Sequence, residues 1–177
     1  MIFRFDDVCV NSDMQLLNDL TNILIEKFPN SEVIWAVSPM VDSKEKYRQR
    51  IFPKKWNAMS DYRQFFKMDK IGIPDLHPKV TLAGHGLVHV DHRLLDYHAQ
   101  ELSILLSCNL IKCDMFVPPF NKWNKDTEKI CLENDIELVQ FEDGWKSMEY
   151  NSFDKENYHW YLHAREWSPE SFKNWFK

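Results

Sequence analysis

A strand that runs straight into two adjacent carboxylates constrains this chain more than any other stretch. Residues 2–5 are apolar apart from Arg4 and read as a short β-strand, with Asp6 and Asp7 at its end. Two neighbouring acids there repel each other unless something positive lies between them. A divalent cation meets that need, with one Asp as ligand and the other left free as a base. His85 and His89, spaced His-x-x-x-His, and a late His163 are placed to complete such a site. Alone, an Asp-Asp pair is more often a helix cap or a solvated turn, and a histidine pair more often lies on the surface. Their joint occurrence is what points to a metal.

The rest of the chain alternates strands with helices. Asp13 is a helix cap, and Leu16, Leu17, Leu20, Ile23, Leu24 and Phe28 follow at helical spacing. Residues 33–37 are a near-continuous apolar run of the kind found in buried parallel strands. Further strands are expected at 80–83, 114–117, 136–141 and 158–162, with helices at 91–108, at 125–133 and from 169. Residues 38–79 break the rhythm with four prolines, many charges and one weak helical stretch at 60–68. They are expected to be a long insertion or lid over the site, within a single domain spanning 1–177. The alternation itself predicts an α/β fold with a parallel sheet. Asp6, Asp7, His85, His89, the Pro118-Pro119 turn, Trp145 and His163 all fall just past the C-terminal ends of predicted strands. In a parallel barrel those ends share one face, so residues far apart in sequence would converge there.

Composition narrows the function. A net charge of −5 argues against a nucleic-acid binder that tracks phosphates, which would carry a basic stripe. Lys44, Lys46, Arg48, Arg50, Lys54 and Lys55 do cluster, but among acids, as a solvated face does; contact with an anionic substrate is the alternative. Aromatic residues reach 14%, seven of them Trp. They imply either an aromatic-rich core or a groove where sugar rings stack. Cys9, Cys108, Cys113 and Cys131 form no CxxC pair and read as free thiols in a reducing compartment. No signal peptide is seen before the first strand and no apolar run is of membrane-spanning length, so a cytoplasmic location is expected.

Phe5-Asp6-Asp7 after the first strand, His85-x-x-x-His89 after the third, Pro118-Pro119-Phe120, a Trp145 loop and Leu162-His163 near the end resemble, in order and spacing, the five motifs of the polysaccharide deacetylase (NodB-homology, carbohydrate esterase family four-like) superfamily. The resemblance implies a distorted, incomplete (β/α) barrel that hydrolyses N-acetyl or related acyl amides with one divalent metal. Zinc is the first choice, with cobalt, manganese, nickel or iron as alternatives. It further implies Asp6 as general base, Asp7, His85 and His89 as metal ligands, His163 as the acid that protonates the leaving amine, and the backbone N–H of Phe120 at the oxyanion. Asn121, Trp145 and Arg165 are added as candidate substrate contacts, and Trp145 reads equally as packing. His92, on the helix expected at 91–108, reads as structural or exposed and is near enough to be a spare ligand.

The chain departs from the family pattern at four places. Val8 and Asn121 stand where glycines are usual, Gly86 replaces a Ser or Thr, and Val117 replaces the arginine that tethers the catalytic Asp. Arg4 and Arg165 are the two arginines able to take over that tether. The implied substrate is a small glycan or acetylated sugar conjugate. A hydrolase of a non-sugar amide or ester, and a catalytically degenerate glycan- or partner-binding protein, are the alternatives.

Overall fold

The computed structural model describes residues 1–9, 12–39, 76–87, 89–140 and 144–177. Its seven described strands are β1 (Ile2–Val8), β2 (Glu32–Val37), β3 (Val80–Gly84), β4 (Met115–Phe116), β5 (Glu137–Leu138), β6 (Lys146–Ser147) and β7 (His159–His163). All pair in parallel, in the order β5-β4-β3-β2-β1-β7-β6. The helices are α1 (Met14–Lys27), α2 (Tyr97–Ile111), α3 (Lys125–Glu133) and α4 (Pro169–Trp175). Together they form the parallel sheet that the strand–helix alternation predicts, curled into the incomplete (β/α) barrel that the family resemblance implies.

The period of two along β1 sorts its side chains between two cores. Phe3 and Phe5 pack with Leu17, Leu20 and Leu24 of α1 and with Phe172 of α4. Arg4 and Asp6 alternate to the inner side of the sheet, which holds Ile34, Ala36, Ala83, Val117 and Trp145. Most of the described aromatic excess is packing on the outer side. Phe28, Phe153, Trp160, Trp175 and Phe176 meet there largely edge to face, with Trp160–Trp175 and Trp175–Phe176 centroids both 5.0 Å apart.

Helix starts follow their caps. Asp13 accepts from the Leu16 N–H at 3.0 Å, and both Asn124 with Thr127 and Ser168 with Ser171 form capping boxes. The helix expected at 91–108 begins instead at Tyr97. Asp91 caps only a 3-10 turn (His92–Leu94), Leu95 is extended, and Asp96 caps the true helix by accepting from Ala99. The strand expected at 136–141 is reduced to two described residues, and β6 was not expected at all. Two-residue strands carry no periodicity to read.

The first strand also differs from expectation. It does not stop at Phe5 but runs through both acids, because Asp6 pairs with His163 of β7 and Val8 with Val37 of β2. A bulge between Phe5 and Val8 absorbs the irregularity, with Asp7 in the left-handed region at φ 58°. A bulge re-aims a side chain, here the second carboxylate. The expected insertion, its weak helix and its basic cluster lie almost wholly outside the described residues. Among those described, no helix is long and apolar enough to cross a membrane.

Candidate active site

Asp7, at the bulge, meets the loop that follows β3. Its carboxylate and the ring nitrogens of His85 and His89 offer three ligand atoms within 4.8 Å of one another. The loop owes its shape to neighbours rather than to its own side chains. Gly86 adopts φ 75°, a conformation a Ser or Thr would resist. The bracing is supplied from elsewhere: Ser38 Oγ donates to the His85 carbonyl at 2.7 Å, and the Leu87 N–H donates to Ser103 Oγ of α2 at 3.0 Å. His92 is wholly buried, its ring bridging the Val90 carbonyl and Ser103 Oγ, and burial lowers its pKa to about 3. It is a structural residue and not a spare ligand.

The donor set fits a divalent cation. His85 Nδ1 lies 2.8 Å from the Val117 carbonyl, which can only accept, so Nδ1 carries the hydrogen and the Nε2 lone pair faces the site. That lone pair faces Asp7 Oδ1 at 3.5 Å, and both atoms are fully buried without a hydrogen-bond partner among the described residues. His89 Nε2 is 2.9 Å from the same oxygen. Acceptors facing each other in a buried space repel unless a cation lies among them. Burial alone would raise the Asp7 carboxyl; imidazolium rings at His85 and His89 would outweigh it and hold the group far below the usual carboxylate range, and a cation among the three supplies the same positive charge with the rings neutral. Asp7 therefore presents an ionised ligand.

Beside this triad, Asp6 is held by its own strand. Arg4, two residues earlier and on the same face, donates from Nε to Oδ1 at 2.7 Å and from Nη2 to Oδ2 at 2.8 Å. The guanidinium is fully buried, with its carbon 4.5 Å from the Trp145 ring centroid and 5.3 Å from that of Tyr161. Nη2 also donates to Asn121 Oδ1 at 2.6 Å. Of the two candidate arginines, Arg4 is thus the tether. Arg165 instead points Nη1 at Asp7 Oδ2, 3.1 Å away.

Two of the expected substrate contacts have other partners. Trp145 is only 5% exposed, stacks on His159 and flanks Arg4, so it supports the tether and is not an open sugar platform. Asn121 is engaged by Arg4 through its carbonyl oxygen. Its φ of 54° explains why it can replace a glycine, since Asn tolerates the left-handed region. Phe120 is left-handed too, is 40% exposed and lies with its ring 4.3 Å from that of His89. Three of the five described non-glycine residues with positive φ (Asp7, Phe120 and Asn121) sit at this site, where strain tends to collect.

His163 closes the other side. Its Nε2 is 3.7 Å from Asp7 Oδ2 and its Nδ1 is 3.4 Å from Glu149 Oε1. Glu149 also accepts from the His163 backbone N–H at 2.6 Å and from Ser147 Oγ. Sequence reasoning missed Glu149; the one signal was an acid two residues past an unrecognised strand. Burial alone would lower the His163 imidazole, but Glu149, Asp6 and Asp7 raise it above its ordinary value. Burial alone would raise Glu149, and contacts with His163 and Ser147 bring it down from 4.5 to about 2.

A carboxyl depressed in the folded state stabilises the fold above its unfolded pKa, and that stability is lost as pH falls through the folded value. Glu149→Gln is therefore expected to cost on the order of 2 kcal/mol at pH 7, discounted for the pair's partial exposure. The gap from wild type should close between pH 4.5 and about 2. Urea unfolding at pH 7, 4 and 3 checks this; a gap constant with pH would mean that Glu149 does not act through its charge.

Solved structures with the same arrangement of strands exist. A family 4 carbohydrate esterase from Streptomyces lividans, in complex with acetate, superposes over 97% of this chain and 81% of its own, with a TM-score of 0.57 at 11% identity. The chain has the fold of the family 4 carbohydrate esterases. A pseudoenzyme of that family from Bacillus anthracis matches over 99% of this chain with a TM-score of 0.59 at 10% identity. A mutant of that pseudoenzyme with restored enzymatic activity matches at 0.60 and 11%. This chain spans only 58% and 60% of those two proteins. No protein-family model and no curated protein sequence matches it. The carbohydrate esterase fold thus rests on shape, at identities that show the fold alone.

Proposed function

We propose that the protein is a metal-dependent hydrolase that removes an acetyl group from an N-acetylated sugar or sugar conjugate. The observation that carries this function is the buried, unpartnered facing of Asp7 Oδ1 and His85 Nε2, with His89 beside them, on a family 4 carbohydrate esterase fold. Asp7, His85 and His89 would hold one divalent ion, and a set of two imidazoles and one carboxylate with open positions suits zinc. When bound, such an ion makes an attacking water more acidic and polarises the acyl oxygen.

The chain's own residues supply the rest. Asp6, oriented by the Arg4 fork, accepts the proton of the attacking water. His163, whose imidazolium form Glu149 favours, gives a proton to the leaving amine. The two residues pair across β1 and β7, so base and acid are held in fixed relation by the sheet itself. The Phe120 backbone N–H is assigned to the developing oxyanion. Arg165, against Asp7, is a candidate contact for the acyl or sugar oxygens at the open side.

Metal stoichiometry tests this function. After zinc loading, the wild type should hold about one equivalent and His89→Ala essentially none, with both folded by circular dichroism. Acetate release from N-acetylglucosamine oligomers should accompany the metal-loaded wild type. A folded wild type without metal would overturn the function. The second reading, a catalytically silent glycan- or partner-binding protein, draws support from the pseudoenzyme that shares the fold. Metal binding without hydrolysis of any acetylated sugar or of a non-sugar amide or ester would favour it.

A further inference from the structure

A cleft of about 440 Å³ adjoins the candidate site, and nothing in the chemistry above uses it. Its wall starts at Asn121, whose side chain accepts from Arg4, and continues through Lys122, Trp123, Lys125 and Glu128 to Arg93. The volume is within the range of small-molecule sites. Phe120, next to Asn121 in sequence, lies against His89, so the cleft and the metal-ligand triad are joined through two adjacent residues.

The wall is cationic in a protein whose net charge is −5. Three cations line it against the single carboxylate of Glu128, which is occupied by the Trp123 indole N–H at 3.1 Å. Asp91, which is not on the wall, holds Arg93 and lies near Lys122. It accepts from Arg93 Nε and Nη2 at 3.0 and 2.8 Å and lies 4.0 Å from Lys122 Nζ. Arg93 Nη1 is outside these bonds, and Lys125 makes no ion pair among the described residues. Counting Asp91, three cations still face two carboxylates. A local positive excess on an anionic protein acts on what enters the cleft rather than on anions at large. Trp123, pinned by Glu128, adds a fixed aromatic wall of the kind that packs against a sugar ring.

We propose, building on the deacetylase function above, that this cleft is a subsite for an anionic group, a phosphate or a carboxylate, carried by the sugar conjugate. Arg93, held by Asp91 through Nε and Nη2, offers its remaining Nη1 to an oxygen of the anion, and the ammonium groups of Lys122 and Lys125 add point charges.

The test compares N-acetylglucosamine 6-phosphate, N-acetylmuramic acid and neutral N-acetylglucosamine on the zinc-loaded full chain. Binding is followed through the Trp123 indole N–H resonance, in wild type and in Arg93→Gln/Lys122→Gln. At least one of the acidic sugars should bind wild type about tenfold more tightly than the neutral one, and whichever does identifies phosphate or carboxylate. The double variant should lose that preference while keeping its zinc. Equal affinities for all three sugars, or a preference that survives in the variant, would overturn the subsite. Acetate release separates the two claims. Selective binding lost in the variant, without acetate release from any sugar, leaves the subsite standing and removes the deacetylase function. Acetate release with one KM for all three sugars, unchanged in the variant, does the reverse.

Discussion

Asp6→Asn is expected to lower turnover by about 10³-fold while zinc stoichiometry stays near that of the wild type. The amide keeps the size of the carboxylate and so leaves the bulge at Asp7 in place, but it cannot take up a proton at neutral pH. It also turns an NH2 group toward one of the two Arg4 donors and leaves a fully buried guanidinium without its counter-charge. Stability should therefore fall as well, by several kcal/mol. Turnover per bound zinc, measured where both proteins are folded, separates the two effects. Retained activity in that assay would remove Asp6 from the role of base. A loss of zinc would instead show that Asp6 belongs with Asp7, His85 and His89.

Arg4→Met should be the most damaging substitution for the fold. It keeps the apolar stem between Trp145 and Tyr161 but strands the buried Asp6 carboxylate, at an expected cost of about 3–5 kcal/mol. Arg4→Lys should rescue little, since a single ammonium nitrogen cannot stand at both the Nε and Nη2 positions from which Arg4 bonds Asp6 and Asn121. The decisive measurement is a double-mutant cycle by urea unfolding. Combining Arg4→Met with Asp6→Asn removes both charges, so the pair should cost at least about 2 kcal/mol less than the sum of the singles. Additive costs would mean that Arg4 acts through packing against the two rings and that its bonds to Asp6 contribute nothing.

These two residues also show how the fold serves positions where the sequence differs from the motifs it resembles. Val117 cannot tether an Asp, and Arg4 does so from within the same strand. The i, i+2 spacing places both side chains on one face, and the adjacent β7 and β6 segments bring Tyr161 and Trp145 to cover the guanidinium. Gly86 cannot brace the histidine loop, and hydroxyls from Ser38 and Ser103 do it instead. In each case the bond comes from a different place in the chain than the motif position.

The sequence alone determined the parts that repeat or alternate. Apolar spacing marked α1 and β2, the cap at Asp13 marked a helix start, and the placing of Asp6, Asp7, His85, His89 and His163 near the C-terminal ends of strands put them on one end of a parallel sheet. Such features are local, because backbone period and capping are decided within a few residues. Only the tertiary structure decided that Arg4 rather than Arg165 holds Asp6, that Trp145 is buried beneath it, and that Glu149 partners His163. It also decided that Asp7 turns away from Asp6 through a bulge. Each of these depends on which side chain arrives from a strand or loop distant in sequence, and β6, which brings Glu149, is too short to leave a pattern. Spacing along a chain fixes the direction in which a side chain leaves its strand; the partner it meets is fixed by the packing of the sheet.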